Sequence, residues 1–124
     1  MITDQGLKRL LMAMYGREEL NLPEGEELGY VKANVEHAIA DMIRLRGYPA
    51  EMALRNRRIL YGRFGLDDDE PMTFKELAKN ADLSAGRVRQ IVVQMLRSLR
   101  HPALLGRGPT RLGITISQQI FEDR

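Results

Sequence analysis

The side chains best suited to specific recognition lie between Ser84 and Val93. At helical spacing Ser84, Ala85, Gly86, Arg89, Gln90 and Val93 share one strip about two turns long. Of these only Arg89 and Gln90 are long donors, the rest being short or apolar. This is chemistry for reading base edges, provided the strip lies at the exposed N-terminal face of a helix that enters the major groove. Around it, Arg55, Arg58, Lys75, Lys79, Arg87 and Arg97 are placed for phosphates, contacts that position a module and make its binding salt-dependent. Taken singly, each is rather more a solvated surface charge than a contact, and Ser84 is suited both to cap a helix and to donate to a phosphate.

Other chemistries find less support. The run Asp67, Asp68, Asp69 and Glu70 lacks the spaced ligands and mid-loop glycine of a calcium site and reads as an acidic turn. His37 and His101 have no clustered carboxylate beside them, and with no cysteine in the chain neither a thiolate zinc site nor a cysteine nucleophile is available. No nucleophile and base pair or phosphate-cradling glycine loop is present, so neither enzyme activity nor a cofactor is expected. The absence of cysteine suits a reducing cytoplasm, and neither a signal peptide nor a membrane-length apolar run is visible.

The 124 residues, 44% of them apolar, predict one compact unit with appendages. The net charge of +2 is unevenly spread. Residues 1–43 hold four Lys/Arg and eight Asp/Glu, whereas 44–100 hold twelve and seven. Basic charge thus gathers around the strip, as an electrostatic footprint on DNA requires, although solvated faces give the same asymmetry.

Apolar residues recurring at three and four predict an all-α fold of five helices. The first spans about Asp4 to Tyr15, with Leu7, Leu10, Leu11 and Met14 inward and Gly16 as its stop. The second, about Leu28 to Arg46, carries Leu28, Val31, Val35, Ala38, Met42 and Leu45 as a heptad-like stripe, either packed on its own domain or serving as a homodimer seam. The third enters at Pro49 and runs to Gly65, with Leu54, Ile59, Leu60 and Phe64 inward. Thr73 and Glu76 have capping-box spacing and open the fourth, and Ser84 caps the fifth, which buries Val88, Ile91, Met95 and Leu99. Three segments follow: an N-terminal helical segment over 1–48, a helix-turn-helix domain over 49–102, and a tail over 103–124 that fits a docked helix, a strand or a frayed end equally.

A helix-turn-helix needs buried residues at set offsets, a small residue where the helices touch, and a tight turn. Leu77, Ala81, Leu83, Val88 and Ile91 supply the first and Ala78 the second. Asp82 stands where glycine is common, and Asp tolerates the left-handed conformation. From Arg55 to Pro102 the sequence RNRRILYGRFGLDDDEPMTFKELAKNADLSAGRVRQIVVQMLRSLRHP resembles the fourth conserved region of bacterial sigma factors. RFGL, TFKELA, the recognition-helix stretch with its RVRQI, and the closing LRSLRHP carry the resemblance, and nothing sigma-like is visible in residues 1–48.

The resemblance implies double-stranded DNA and RNA polymerase as partners. In that family this region reads the −35 element and docks on the polymerase flap, here through an apolar groove to which Ile59, Phe64, Leu66 and Leu77 would contribute. The family usually carries arginine and glutamate where this chain has Ala85 and Gly86, implying altered or relaxed specificity. No segment resembles the promoter-melting region, so the chain is not expected to initiate transcription alone. The function expected is a DNA-binding transcription regulator acting on or beside polymerase. Two alternatives stay open: a sigma mimic that binds polymerase without reading DNA, and a homodimeric repressor joined through the helix from Leu28 to Leu45.

Overall fold

The computed structural model describes residues 1–100, which form five α-helices; among them there is no strand. The tail from 103 onward and His101 lie outside the described residues. Helix α1 (Asp4–Tyr15) is capped by the Thr3 side chain, which accepts from the Gly6 N–H, and ends at Gly16 in the left-handed conformation. Helix α2 (Gly25–Leu45) starts three residues before Leu28, because Glu24 is already extended and Glu26 and Glu27 suit the positive end of the helix dipole. Helix α3 (Ala50–Phe64) follows Pro49, which flanks the helix and is not its first residue. Helices α4 (Phe74–Ala81) and α5 (Ala85–Leu99) complete the chain order.

All five helices contribute to one core. α3 and α5 form its centre: each packs against the other and against α1, α2 and α4. α1 and α2 lie against α3 and α5, and α4 seals the remaining side of the same pair. The division at residue 48 therefore marks no break in packing. Ile2, Leu7, Leu10, Leu11, Met14, Val31, Val35 and Ile39 from the N-terminal part join Ile59, Leu60, Leu66, Val88, Met95 and Leu99 from the later part.

Two expectations change. Leu45, at the last residue of α2, is 58% exposed, while Val31, Val35, Ala38 and Met42 of the same stripe are buried and Leu28 is half-buried. Most of the stripe is spent on this chain's own core. Leu54, placed inward by periodicity, is 47% exposed, because the core face of α3 runs through Asn56, Ile59, Leu60 and Phe64.

The α1 end is fastened to the turn after α3. The Thr3 N–H donates to the Leu66 carbonyl at 2.7 Å, and Arg9 donates from Nε to the Phe64 carbonyl at 2.6 Å and from Nη2 to the Gly65 carbonyl at 3.1 Å. Gly6 permits this approach, since an added Cβ would lie 2.7 Å from Leu66 Cα. Asp69, in the left-handed conformation, accepts from the Thr3 hydroxyl and from Arg9 Nη2 at 3.0 Å. These two donors, the hydroxyl foremost, hold its carboxyl below the ordinary range. No described helix is long and apolar enough to cross a membrane.

Candidate nucleic-acid interface

The site is built on the pair α4 and α5. α4 opens with a complete capping box: Thr73 Oγ1 accepts from the Glu76 N–H at 3.1 Å, and Glu76 Oε1 accepts from the Thr73 N–H at 3.1 Å. That N–H, followed by the Thr73 hydroxyl, holds the Glu76 carboxyl below its ordinary range. Arg63 fixes the entry to α4 from behind, stacking on the Phe74 ring at 3.9 Å and donating to the Met72 carbonyl at 3.1 Å. Sequence reading missed this residue: RFGL marks it as one basic residue among several, and only the fold brings Phe74 over it.

Asp82 closes α4 at φ 55 and ψ 45, the left-handed conformation its position demands, and the Leu83 N–H returns to the Ala78 carbonyl at 3.1 Å. Ser84 then caps α5, its hydroxyl accepting from the Arg87 N–H at 3.1 Å. Leu77, Ala78, Val88 and Ile91 are buried between and beneath the two helices, and Ala81 and Leu83 are half-buried against them. The turn is set by local bonds and the crossing by small and branched core residues.

This arrangement leaves the N-terminal half of α5 open. Ser84, Ala85, Gly86, Arg89, Gln90 and Val93 are all exposed, Val93 by 45%. They form a continuous strip, apolar at Ala85, Gly86 and Val93, with two long polar side chains at its middle. Arg87 Nη1 lies 3.5 Å from Gln90 Oε1, at the long limit of a hydrogen bond. An added Cβ at Gly86 would meet nothing within 4 Å.

Lys75 and Lys79 on α4, Arg87 and Arg97 on α5, and Arg58 on α3 are exposed. Arg55 is half-buried, its Nε donating at 3.2 Å to Oδ1 of Asn56, a buried polar side chain of the core. The acidic turn is engaged otherwise: Asp68 accepts from the Glu70 N–H at 2.9 Å, and Asp69 holds Thr3 and Arg9.

The apolar residues expected to meet polymerase separate into two groups. Phe64 (8% exposed) and Leu66 (0%) are core residues under α1, so as surface contacts they are corrected here. Burial against Gly6 and the Thr3 and Arg9 bonds close that face. Ile59 and Leu77 are also buried, but their edges line an open groove between α3 and α4 together with Leu54 and Met72.

Residues 50–101 match the family model for sigma-70, region 4. The chain is 43% identical over 49 residues to RNA polymerase sigma factor SigA of Clostridium acetobutylicum, covering 40% of this chain and 13% of that protein. It is 38% identical over 58 residues to RNA polymerase sigma factor SigA1 of Synechococcus elongatus (47% and 14%) and 42% identical over 53 residues to RNA polymerase sigma-C factor of a Nostoc species (43% and 13%). The chain thus spans about one seventh of the length of these relatives. No solved structure matches it. The helix-turn-helix and the α3 that supports it constitute a sigma region 4-like domain, here sharing its core with two further helices.

Proposed function

We propose that this protein is a DNA-binding regulator of transcription that inserts the N-terminal half of α5 into the major groove and acts in the cytoplasm on or beside RNA polymerase, with promoter opening left to another factor. The observation that carries the reading is the exposed strip Ser84, Ala85, Gly86, Arg89, Gln90 and Val93, held at the front of a doubly capped helix-turn-helix. In this reading Arg89 and Gln90 supply the polar base contacts and Val93 and Ala85 meet thymine methyls. Arg55, Arg58, Lys75, Lys79, Arg87 and Arg97 neutralise phosphates.

The test is duplex binding by mobility shift at several salt concentrations, comparing the wild type with Arg89→Ala plus Gln90→Ala. Wild-type affinity should fall steeply with salt, with a slope of about −0.9 per neutralised phosphate. The double variant should retain salt-dependent binding while losing preference between sequences. No binding at low salt would overturn the reading.

One observation favours a second account. Ala85 and Gly86 present no donor or acceptor beyond the backbone, as expected of a sigma mimic that holds polymerase without reading the −35 element. A polymerase contact in either account runs through the groove edged by Ile59 and Leu77, because Phe64 and Leu66 are covered by α1.

A further inference from the structure

Helix α2 keeps a second face that no part of the described chain covers. Glu26, Tyr30, Ala33, His37, Ala40 and Arg44 recur at alternating spacings of four and three, on the side of the helix opposite the buried Val35. All six are exposed. Tyr30, at 53%, is the one exposed aromatic side chain among the described residues. The stripe is ordered along its length: a carboxylate near the helix start, a guanidinium near its end, and between them two large side chains alternating with two alanines. Arg44 Nη2 meets Asp41 Oδ1 of its own helix at 3.2 Å, an exposed pair of the kind that is worth little and exchanges readily for another.

We propose that this face is the seam of a homodimer in which the α2 helices of two copies pack antiparallel about a two-fold axis beside residue 35. The register that brings the partner's Arg44 to Glu26 also brings the partner's Ala40 to Tyr30 and the partner's His37 to Ala33. The stripe is its own complement when reversed, which is what an isologous interface demands. Opposite charges meet at both ends, and a large side chain meets a small one at every step between, so ridges can enter grooves. A parallel pair would set carboxylate on carboxylate and tyrosine on tyrosine. Tyr30 supplies an aromatic anchor, the type of side chain that carries much of the energy of an interface. The seam lies away from the buried residues of the Leu28 to Leu45 stripe, so dimerisation and folding draw on different side chains of one helix. The pairing stands apart from the DNA-binding reading above, but its consequence rests on that reading: two copies present two α5 strips, and a duplex with two sites is held by both.

The test is sedimentation of the full chain over the micromolar range, which should show a concentration-dependent equilibrium between monomer and dimer. Ala33→Arg sets a long cation into the seam beside the partner's His37 and should abolish the dimer. Ala33 is exposed and arginine is a good helix former, so this variant keeps its fold, which circular dichroism checks. Glu26→Arg alone and Arg44→Glu alone should each weaken dimerisation by about tenfold, since each turns two attractive pairs into repulsive ones. Combined in one chain the two reversals should restore the dimer, and the two single variants, mixed, should pair with each other. A strict monomer at every concentration, a dimer indifferent to Ala33→Arg, or reversals that the combination fails to rescue would overturn the proposal. On duplexes carrying two copies of a bound sequence at varied spacing, the wild type should bind cooperatively. Ala33→Arg should bind a single-site duplex equally well and lose the cooperativity; cooperativity that survives it overturns the bivalent consequence. A dimer that binds no duplex overturns the DNA reading and leaves the pairing standing, and a strict monomer that binds duplex does the reverse.

Discussion

Gly86 sits in the second position of α5 with open space where a side chain would project, and Ala85 beside it is equally exposed. Nothing in the fold therefore excludes longer readers at these two positions. Ala85→Arg with Gly86→Glu, the pair that the sigma resemblance implies, should gain preference for a −35-type sequence. Each bidentate contact restored is worth roughly 1–3 kcal/mol of discrimination, and competition binding against random duplexes measures it. On the DNA-binding proposal, Arg89 and Lys75 separate base contacts from phosphate contacts. Arg89→Ala should relax sequence preference, whereas Lys75→Ala should weaken all duplexes alike and reduce the salt slope by about 0.9.

At the level of elements, α4 has only eight residues and leans on its cap. Thr73→Ala should cost about 1 kcal/mol in urea unfolding, with α4 loosening first in hydrogen exchange. Glu76 adds a pH dependence whose sign follows from its depressed carboxyl. Its contribution is complete above the unfolded-state pKa and is lost as pH falls through the lower folded-state value. The thermal midpoint should therefore drop on acidification through the carboxylate range, and Glu76→Gln should flatten part of that drop. α1 depends on close approach rather than on a cap alone. Gly6→Ala places a Cβ 2.7 Å from Leu66 Cα and 2.9 Å from the Gly65 carbonyl oxygen. Both neighbours are backbone and cannot yield cheaply, so a loss of about 1–3 kcal/mol is expected in denaturant melts.

Across the whole molecule the N-terminal helices and the sigma region 4-like domain share one buried core, so a single cooperative unfolding transition is expected. Probes placed on α1 and on α5 should report coincident unfolding transitions. Leu10→Ala, deep in the N-terminal part, should lower stability by about 2–5 kcal/mol and shift both probes together. Two separate transitions would mean that the domain folds without its N-terminal partner helices.

Much of this was legible locally. The five helices, the Thr73 and Glu76 box, the Ser84 cap and the left-handed Asp82 follow from capping chemistry and from apolar spacing, which act within a few residues of one another. The exposed strip on α5 follows equally from period alone, since Val88, Ile91 and Met95 must face inward. Which face of α3 is core was not legible, because α3 is flanked by partners on several sides; Leu54 fell outside and Asn56 inside for reasons lying in other helices. The same holds for Phe64 and Leu66, which periodicity marks only as apolar. Tertiary structure decided that α1 covers them, through a glycine 60 positions from Leu66 whose missing Cβ lets two backbones meet. The local pattern thus determined the elements and the exposed face of α5, and long-range packing decided which apolar surface is core and which is left as a groove.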